Sequence, residues 1–195
     1  PNESTGLGNQ VCMVLLKKKV ALDSKLIHRL LTPVFREGEV EVPSSDNPES
    51  TVFHVRGIPI ALMMVPRPVP TETLVQAVRH NASKDKDLKR LGKHKAHLII
   101  SPLGEPEDME QAVNLAMILS RITARLAELG DPIAGLWSNS DQLINAKELL
   151  NLSKQIDSAI KARQQGSQEC LLPVNFWVGF DLYRDSSKHG ILSRG

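Results

Sequence analysis

Residues 51–65 read TVFHVRGIPIALMMV, two apolar runs separated by the dipeptide Arg56-Gly57. Valine, isoleucine, phenylalanine and threonine favour strands, and a two-residue break that contains glycine is typical of a β-hairpin turn. Residues 58–65 are apolar at almost every position, so both sides of this second strand are expected to be covered. The stretch therefore predicts a hairpin whose second strand is central in a sheet.

The sequence on either side of this hairpin supplies further elements. The apolar run Val11–Leu16 predicts a buried strand, and Asp23 precedes apolar residues at three-and-four spacing, which predicts a capped helix. After the hairpin, the alternate prolines of residues 66–70 keep the backbone extended, and a helix is predicted from Thr71. His97–Ile100 then reads as another buried strand. The chain is therefore expected to begin strand, helix, strand, strand, helix, strand.

Two further helix–strand units are predicted in the remaining sequence. A long helix opens at Pro106, because proline and the acids that follow it suit a first helical turn, and a strand follows at Ile133–Trp137. Asn145 and Glu148 have the spacing of a capping box ahead of the next helix. The alternating pattern of Leu171–Leu182 predicts a final strand with one buried face.

This order of elements predicts an α+β fold. The sheet is expected to be mixed or antiparallel, with a ferredoxin-like β-α-β-β-α-β start that is extended by two helix–strand units, and with helices mainly on one face. A length of 195 residues suits one domain. We place that domain at residues 11–195 and expect residues 1–10, which are small and polar, to form a disordered or frayed N-terminus.

The composition favours a cytoplasmic protein without a strong overall electric field. The chain has 24 Lys and Arg against 22 Asp and Glu, a formal net charge of +2. Its two cysteines, Cys12 in an apolar run and Cys170 in a polar loop, do not suggest a disulfide framework, which indicates a reducing compartment. The longest apolar stretch, Ile58–Val65, is far shorter than the roughly 20 residues that span a bilayer. No membrane association is predicted.

The sequence contains no motif that predicts a catalytic, cofactor-binding or metal-binding residue. Gly6-Leu7-Gly8 precedes the first strand, whereas a dinucleotide-binding loop follows a strand and opens a helix. His94 and His97 are the closest pair of histidines, but the lysines beside them would repel a cation, so hydrogen bonds within the fold are the favoured role. Cys12 is interpreted as a structural thiol, because an apolar strand hides it and raises its pKa.

A cluster of basic residues between Lys84 and Lys95 is the feature most compatible with nucleic-acid binding. Asp85 and Asp87 dilute its charge, and the region has no aromatic side chain on which a base could stack. We therefore interpret it as a solvated face and do not expect nucleic-acid binding.

Trp137, Ser138, Asn139 and Asp141 are the candidate partner-binding residues. A tryptophan at a strand end followed by short hydrogen-bonding side chains has the mixed composition favoured at interface hot spots. Trp137 in a core position is the competing interpretation.

Four segments together resemble a bacterial family known as domain of unknown function 4261. They are IPIALMMVPRPVP at 58–70, HKAHLIIS at 94–101, AGLW at 134–137 and LPVNFWV at 172–178. The resemblance extends over most of the chain from about Val11 and carries no established activity or catalytic residue. Members of that family are met near contact-dependent and type VI secretion toxin systems, so the resemblance implies an immunity or accessory protein whose partner is a cognate toxin or a secretion-system component.

Three hypotheses of function follow. The first is a non-catalytic binding protein that neutralises a cognate secreted toxin or serves a type VI-like secretion system. The second is a small hydrolase or transferase whose site assembles from separated residues such as His97, Ser101, Asp141 and Asp181. The third is a nucleic-acid-associated regulator, for which binding should depend steeply on salt.

Overall fold

A computed structural model of the chain describes residues 10–79, 89–138, 140–166, 172, 177, 179–184 and 189–194. The helices that lie wholly within these residues are α1 (Ser24–Leu31), α2 (Thr71–Arg79), α3 (Met109–Leu126), a short 3-10 helix (Ala127–Leu129) and α4 (Ala146–Gln164). Its strands are β1 (Cys12–Leu16), β2 (Val40–Glu41), β3 (Ser50–Val55), β4 (Ile58–Val65), β5 (Ala96–Pro102), β6 (Pro132–Trp137), β7 (Gln142–Asn145), β8 (Gly179–Arg184) and β9 (His189–Arg194).

Seven of the strands form one sheet in the order β2-β3-β4-β5-β1-β6-β7, and every neighbouring pair is antiparallel. The predicted α+β class and antiparallel sheet are therefore confirmed. The hairpin of residues 51–65 is confirmed as well, since Val55 pairs with Ile58 across Arg56-Gly57. Arg56 and Gly57 have φ angles of 54° and 77°, the left-handed conformation that a type I′ hairpin turn requires at both positions.

The order of the strands within the sheet differs from that of a ferredoxin-like fold, although the order of elements along the chain is the same. The chain begins strand, helix, strand, strand, helix, strand once the two-residue β2 is set aside, as predicted. In a ferredoxin-like sheet the first strand lies between the third and the fourth, whereas here β5 lies between β4 and β1. β5 suits this central position because its side chains are mostly buried on both faces of the sheet.

The two faces of the sheet are covered unequally. On the major face, α1, α3 and α4 pack over a large core that includes Val14, Phe53 and Leu98. On the minor face, α2 and the segment before it cover a smaller cluster around Leu15 and Leu74. The predicted placement of the helices mainly on one face is thus confirmed. Farther along the minor face, Met63 of β4 is half exposed.

Arg121 of α3 connects the elements of the major face. Its guanidinium donates a hydrogen bond to the carbonyl of Val34, just after α1, and Nη2 lies 2.8 Å from Oδ1 of Asp157 on α4. The guanidinium carbon also lies 4.8 Å from the ring centroid of Phe35. Because the Arg121 side chain is only 11% exposed, these contacts compensate part of the lost hydration of its charge, while Nε is buried without a hydrogen-bond partner.

Two predicted element boundaries differ from the structure. The helix predicted from Pro106 begins at Met109, because Asp108 is its N-cap and accepts a hydrogen bond from the backbone N–H of Gln111. The strand predicted at 171–182 is present among the described residues only as β8, which pairs with β9 in a separate two-stranded sheet, while Trp177 is helical.

Residue 10 is the one position of the predicted frayed N-terminus that the structure describes. Residues 1–9, most of the predicted frayed terminus, lie outside the described residues. Gln10 is buried, and its Nε2 donates to the carbonyl of Ala112 at 3.0 Å. Gln10 is therefore part of the packed domain.

We expect Asp157→Asn to lower the free energy of unfolding by about 2 kcal/mol, because it leaves the Arg121 charge poorly compensated in a buried position. The double variant Arg121→Met/Asp157→Asn should recover part of this loss, since it removes the charge as well. Urea unfolding of Asp157→Asn, Arg121→Met and the double variant measures the coupling energy between the two side chains. Asp46→Asn, at an exposed loop position, is the matched control. Equal effects of Asp157→Asn and this control would contradict the assigned role of Arg121.

Candidate functional site

The predicted partner-binding residues lie at the β6–β7 turn. Trp137 is 1% exposed and belongs to the main core, so its indole is not presented to a partner there. Ser138 and Asp141 are half-buried; the backbone N–H of Ser138 donates to the carbonyl of Val11, and Asp141 has a φ of 52°. Asn139 lies outside the described residues. Trp137 therefore lies in the core, as the competing interpretation predicted. Partner binding by Ser138, Asn139 and Asp141 stays a prediction.

The two residues of the predicted hydrolase site that lie on β5, His97 and Ser101, are not brought together. His97 and Ser101 lie on the same face of β5 but four residues apart, a separation of roughly 13 Å at the rise of a β-strand. Ser101 Oγ instead donates to the carbonyl of Pro102 at 3.2 Å. Asp141 lies at the β6–β7 turn, and Asp181 belongs to β8 of the separate sheet. A proton cannot pass directly between His97 and Ser101 at that distance.

His94 holds the segment Pro66–Pro70, which we name the proline strap. The backbone N–H of Val69 donates to Nε2 of His94 at 2.7 Å, and Nδ1 donates to the carbonyl of Leu91. An imidazole nitrogen that accepts a hydrogen bond carries no proton, so these contacts require the neutral ring with its proton on Nδ1. Because both ring nitrogens are engaged, His94 has no nitrogen available for a metal ion.

His97 holds the same strap two residues earlier. Its Nδ1 lies 2.9 Å from the carbonyl oxygen of Arg67 and donates to it. Burial lowers the pKa of His97, and the hydrogen bond to Arg67 opposes this effect in part. The two residues of the strap that are not proline, Arg67 and Val69, are thus each bound to a histidine of the 94–97 segment.

Four exposed lysines lie at the same end of the sheet, and we name them the basic end: Lys17, Lys18, Lys93 and Lys95. They come together because β1 ends where β5 begins, with the backbone N–H of Lys95 donating to the carbonyl of Leu16 at 2.9 Å. Among the described residues none of the four forms an ion pair, whereas the neighbouring Lys19 binds Glu49 at 2.6 Å. The basic end is therefore a cluster of exposed lysines whose charges have no ion-pair partner within the described part of the chain.

The basic cluster predicted from the sequence, between Lys84 and Lys95, is only part of this surface. Its residues 84–88 lie outside the described part of the chain. Lys17 and Lys18 were missed, because only the pairing of β1 with β5 brings them beside Lys93 and Lys95. The available signal was the abrupt change from the buried Leu16 to three successive exposed lysines.

Cys12 and Asp23 are not available for chemistry either. Cys12 is fully buried, and burial raises the pKa of its thiol. A depression of about 330 Å³ lies at the start of α1, but Asp23, which lines it, accepts hydrogen bonds from the backbone N–H groups of Lys25 and Leu26. In the described part of the chain, no group of three or more histidines, cysteines or acids is placed to hold a metal ion. No described helix has the length and apolar character to cross a bilayer.

We expect acid to destabilise the protein through His97. Since burial lowers the pKa of the folded state below that of the unfolded state, the contribution of His97 is complete above the unfolded pKa, near 6.5. It is lost as the pH falls from there through the folded pKa. His97→Asn, which keeps a donor toward the carbonyl of Arg67, should reduce the loss of stability between about pH 7.5 and pH 5. Urea unfolding across this range measures it, with exposed His28→Asn as the control; an unchanged pH profile for His97→Asn would contradict the prediction.

The Cys12 thiol should resist alkylation in the folded protein, because burial both encloses it and keeps it protonated. Iodoacetamide at about pH 8 followed by peptide mass mapping should show Cys12 unmodified in buffer and modified in urea. Rapid modification of Cys12 without denaturant would show that β1 opens readily.

Comparison with known proteins adds no relative. No family model, no curated protein and no solved structure matches this chain. The resemblance to domain of unknown function 4261 therefore depends on the four segments at 58–70, 94–101, 134–137 and 172–178.

Proposed function

We propose that this protein is a non-catalytic, cytoplasmic binding protein: an immunity protein that neutralises a cognate secreted bacterial toxin, or an accessory of a type VI-like secretion system. The observation that carries the proposal is that several chemically reactive side chains are buried in the fold or hold its segments together. The thiol of Cys12 is buried, and the ring nitrogens of His94 hold the proline strap. Arg121 joins three helical segments.

Neutralisation by binding has different requirements from catalysis. An immunity protein blocks a toxin sterically or electrostatically, so it requires a stable scaffold and a complementary surface. The central sheet supplies such a scaffold, and the exposed lysines of the basic end supply charge on its surface. The resemblance to proteins encoded near secretion toxins supports the same function by association.

The binding function is favoured over the hydrolase for a geometric reason. A nucleophile and its base have to approach within hydrogen-bond distance, and His97 and Ser101 are held apart on one rigid strand. The ring nitrogen Nδ1 of His97 is, in addition, engaged by Arg67.

We expect the purified chain to form a stable one-to-one complex with the product of the adjacent gene, and to restore growth when that product is expressed as a toxin. Light scattering after size-exclusion chromatography gives the stoichiometry, and growth curves of co-expressing cells give the rescue. Phe53→Asp, which places a charge in the core, should abolish both effects and serves as the negative control. Absence of both the complex and the rescue for the unaltered chain would remove the proposal.

A further inference from the structure

We infer that the basic end, together with the exposed prolines of the strap, is the surface through which this protein docks onto an acidic face of a protein partner. This inference rests on the proposed binding function and names the surface and the chemistry of its partner.

The first support is the cost of placing these charges together. β1 and β5 are antiparallel and their ladder ends at the pair Leu16 and Ala96, so Lys17 and Lys95 follow directly at the ends of two neighbouring strands. Like charges held near each other repel. An acidic partner would relieve this repulsion.

The second support is the rigidity of the backbone that carries the lysines. The backbone N–H of Lys17 donates to the carbonyl of Asp131 at 3.1 Å, and Lys95 is bound to Leu16. His94, between Lys93 and Lys95, is buried and bound at both ring nitrogens. A charged surface on a fixed backbone is preorganised, so less entropy is lost when a complementary surface binds it.

The third support is the apolar surface beside the charges. The rings of Pro66, Pro68 and Pro70 are exposed, while the intervening Val69 is buried and holds the strap against the sheet. Proline adds apolar contact area with almost no side-chain entropy to lose. The proline rings and the exposed Arg67 between them, held next to the start of β5 by His94 and His97, combine the apolar and charged elements found in protein interfaces.

The charge distribution favours an acidic protein over a nucleic acid. At the far end of β5, roughly 23 Å from the lysines at the rise of a strand, the chain carries Glu105, Glu107, Asp108 and Glu110. The positive charge is therefore limited to one end of the sheet, which suits a compact acidic surface better than a long polyanion. The basic end also has no aromatic residue on which a base could stack.

The test compares matched pairs of lysines in the complex with the adjacent gene's product. Lys93→Gln/Lys95→Gln removes two charges from the basic end, and Lys154→Gln/Lys161→Gln removes two exposed charges from α4. We expect the first pair to slow association about tenfold at roughly 100 mM salt and the second to change it by less than about twofold. Lys93→Arg/Lys95→Arg should bind like the unaltered chain, because it keeps the charge.

Two further measurements separate the possible failures. Lys93→Gln/Lys95→Gln should unfold at the same temperature as the unaltered chain or slightly above it, because repulsion is removed, so that weaker binding reflects the surface and not the fold. If the unaltered chain forms no complex, the proposed function fails, and the inference fails with it. If the complex forms and both Gln pairs bind equally well, only the inference is wrong.

A short DNA duplex serves as the competing probe. The inference predicts at most weak duplex binding, since four lysines neutralise few phosphates. Tight, steeply salt-dependent duplex binding that is lost in Lys93→Gln/Lys95→Gln, with the protein complex unaffected, would identify the basic end as a nucleic-acid surface and overturn the inference.

Discussion

The pairing of β1 with β5 is the interaction on which the rest of the structure depends. β1 bonds to β5 on one side and to β6 on the other, so it is the strand that makes one seven-stranded sheet out of two smaller groups. Four of its five side chains are fully buried, and they contribute to the clusters on both faces. Burial on both faces fixes the register, because a shift of one residue would exchange every side chain between the clusters.

The same pairing creates the candidate binding surface. At the end of the β1–β5 ladder, burial changes to exposure within one residue on each strand, from Leu16 to Lys17 and from Ala96 to Lys95. The hydrogen bonds of the sheet continue to this point and keep the exposed lysines on an ordered backbone. The surface is therefore a direct extension of the core, and its positions are as well defined as those of the strands.

The proline strap shows why two histidines are buried beside these lysines. A segment with three prolines retains few backbone N–H groups, so it cannot join the sheet as a regular strand. Side chains of the neighbouring segment take the place of a ladder: His94 accepts from Val69, and His97 donates to the carbonyl of Arg67. Neutral imidazole suits this task, since it both donates and accepts and needs no counter-ion when it is buried. The strap in turn places Val69 in the minor-face cluster.

Local patterns in the sequence determined the elements of this protein, and the tertiary structure decided how they are combined. Apolar runs, the Arg56-Gly57 break and the Asn145–Glu148 capping box indicated the strands, the hairpin and the last helix, because each depends on residues close together in the chain. The neighbours of β5, the burial of Trp137 and the placement of Lys17 and Lys95 at one end of the sheet depend on contacts between distant segments. Periodicity shows which side of a strand is apolar but not which strand lies beside it, so only the folded chain could reveal the basic end.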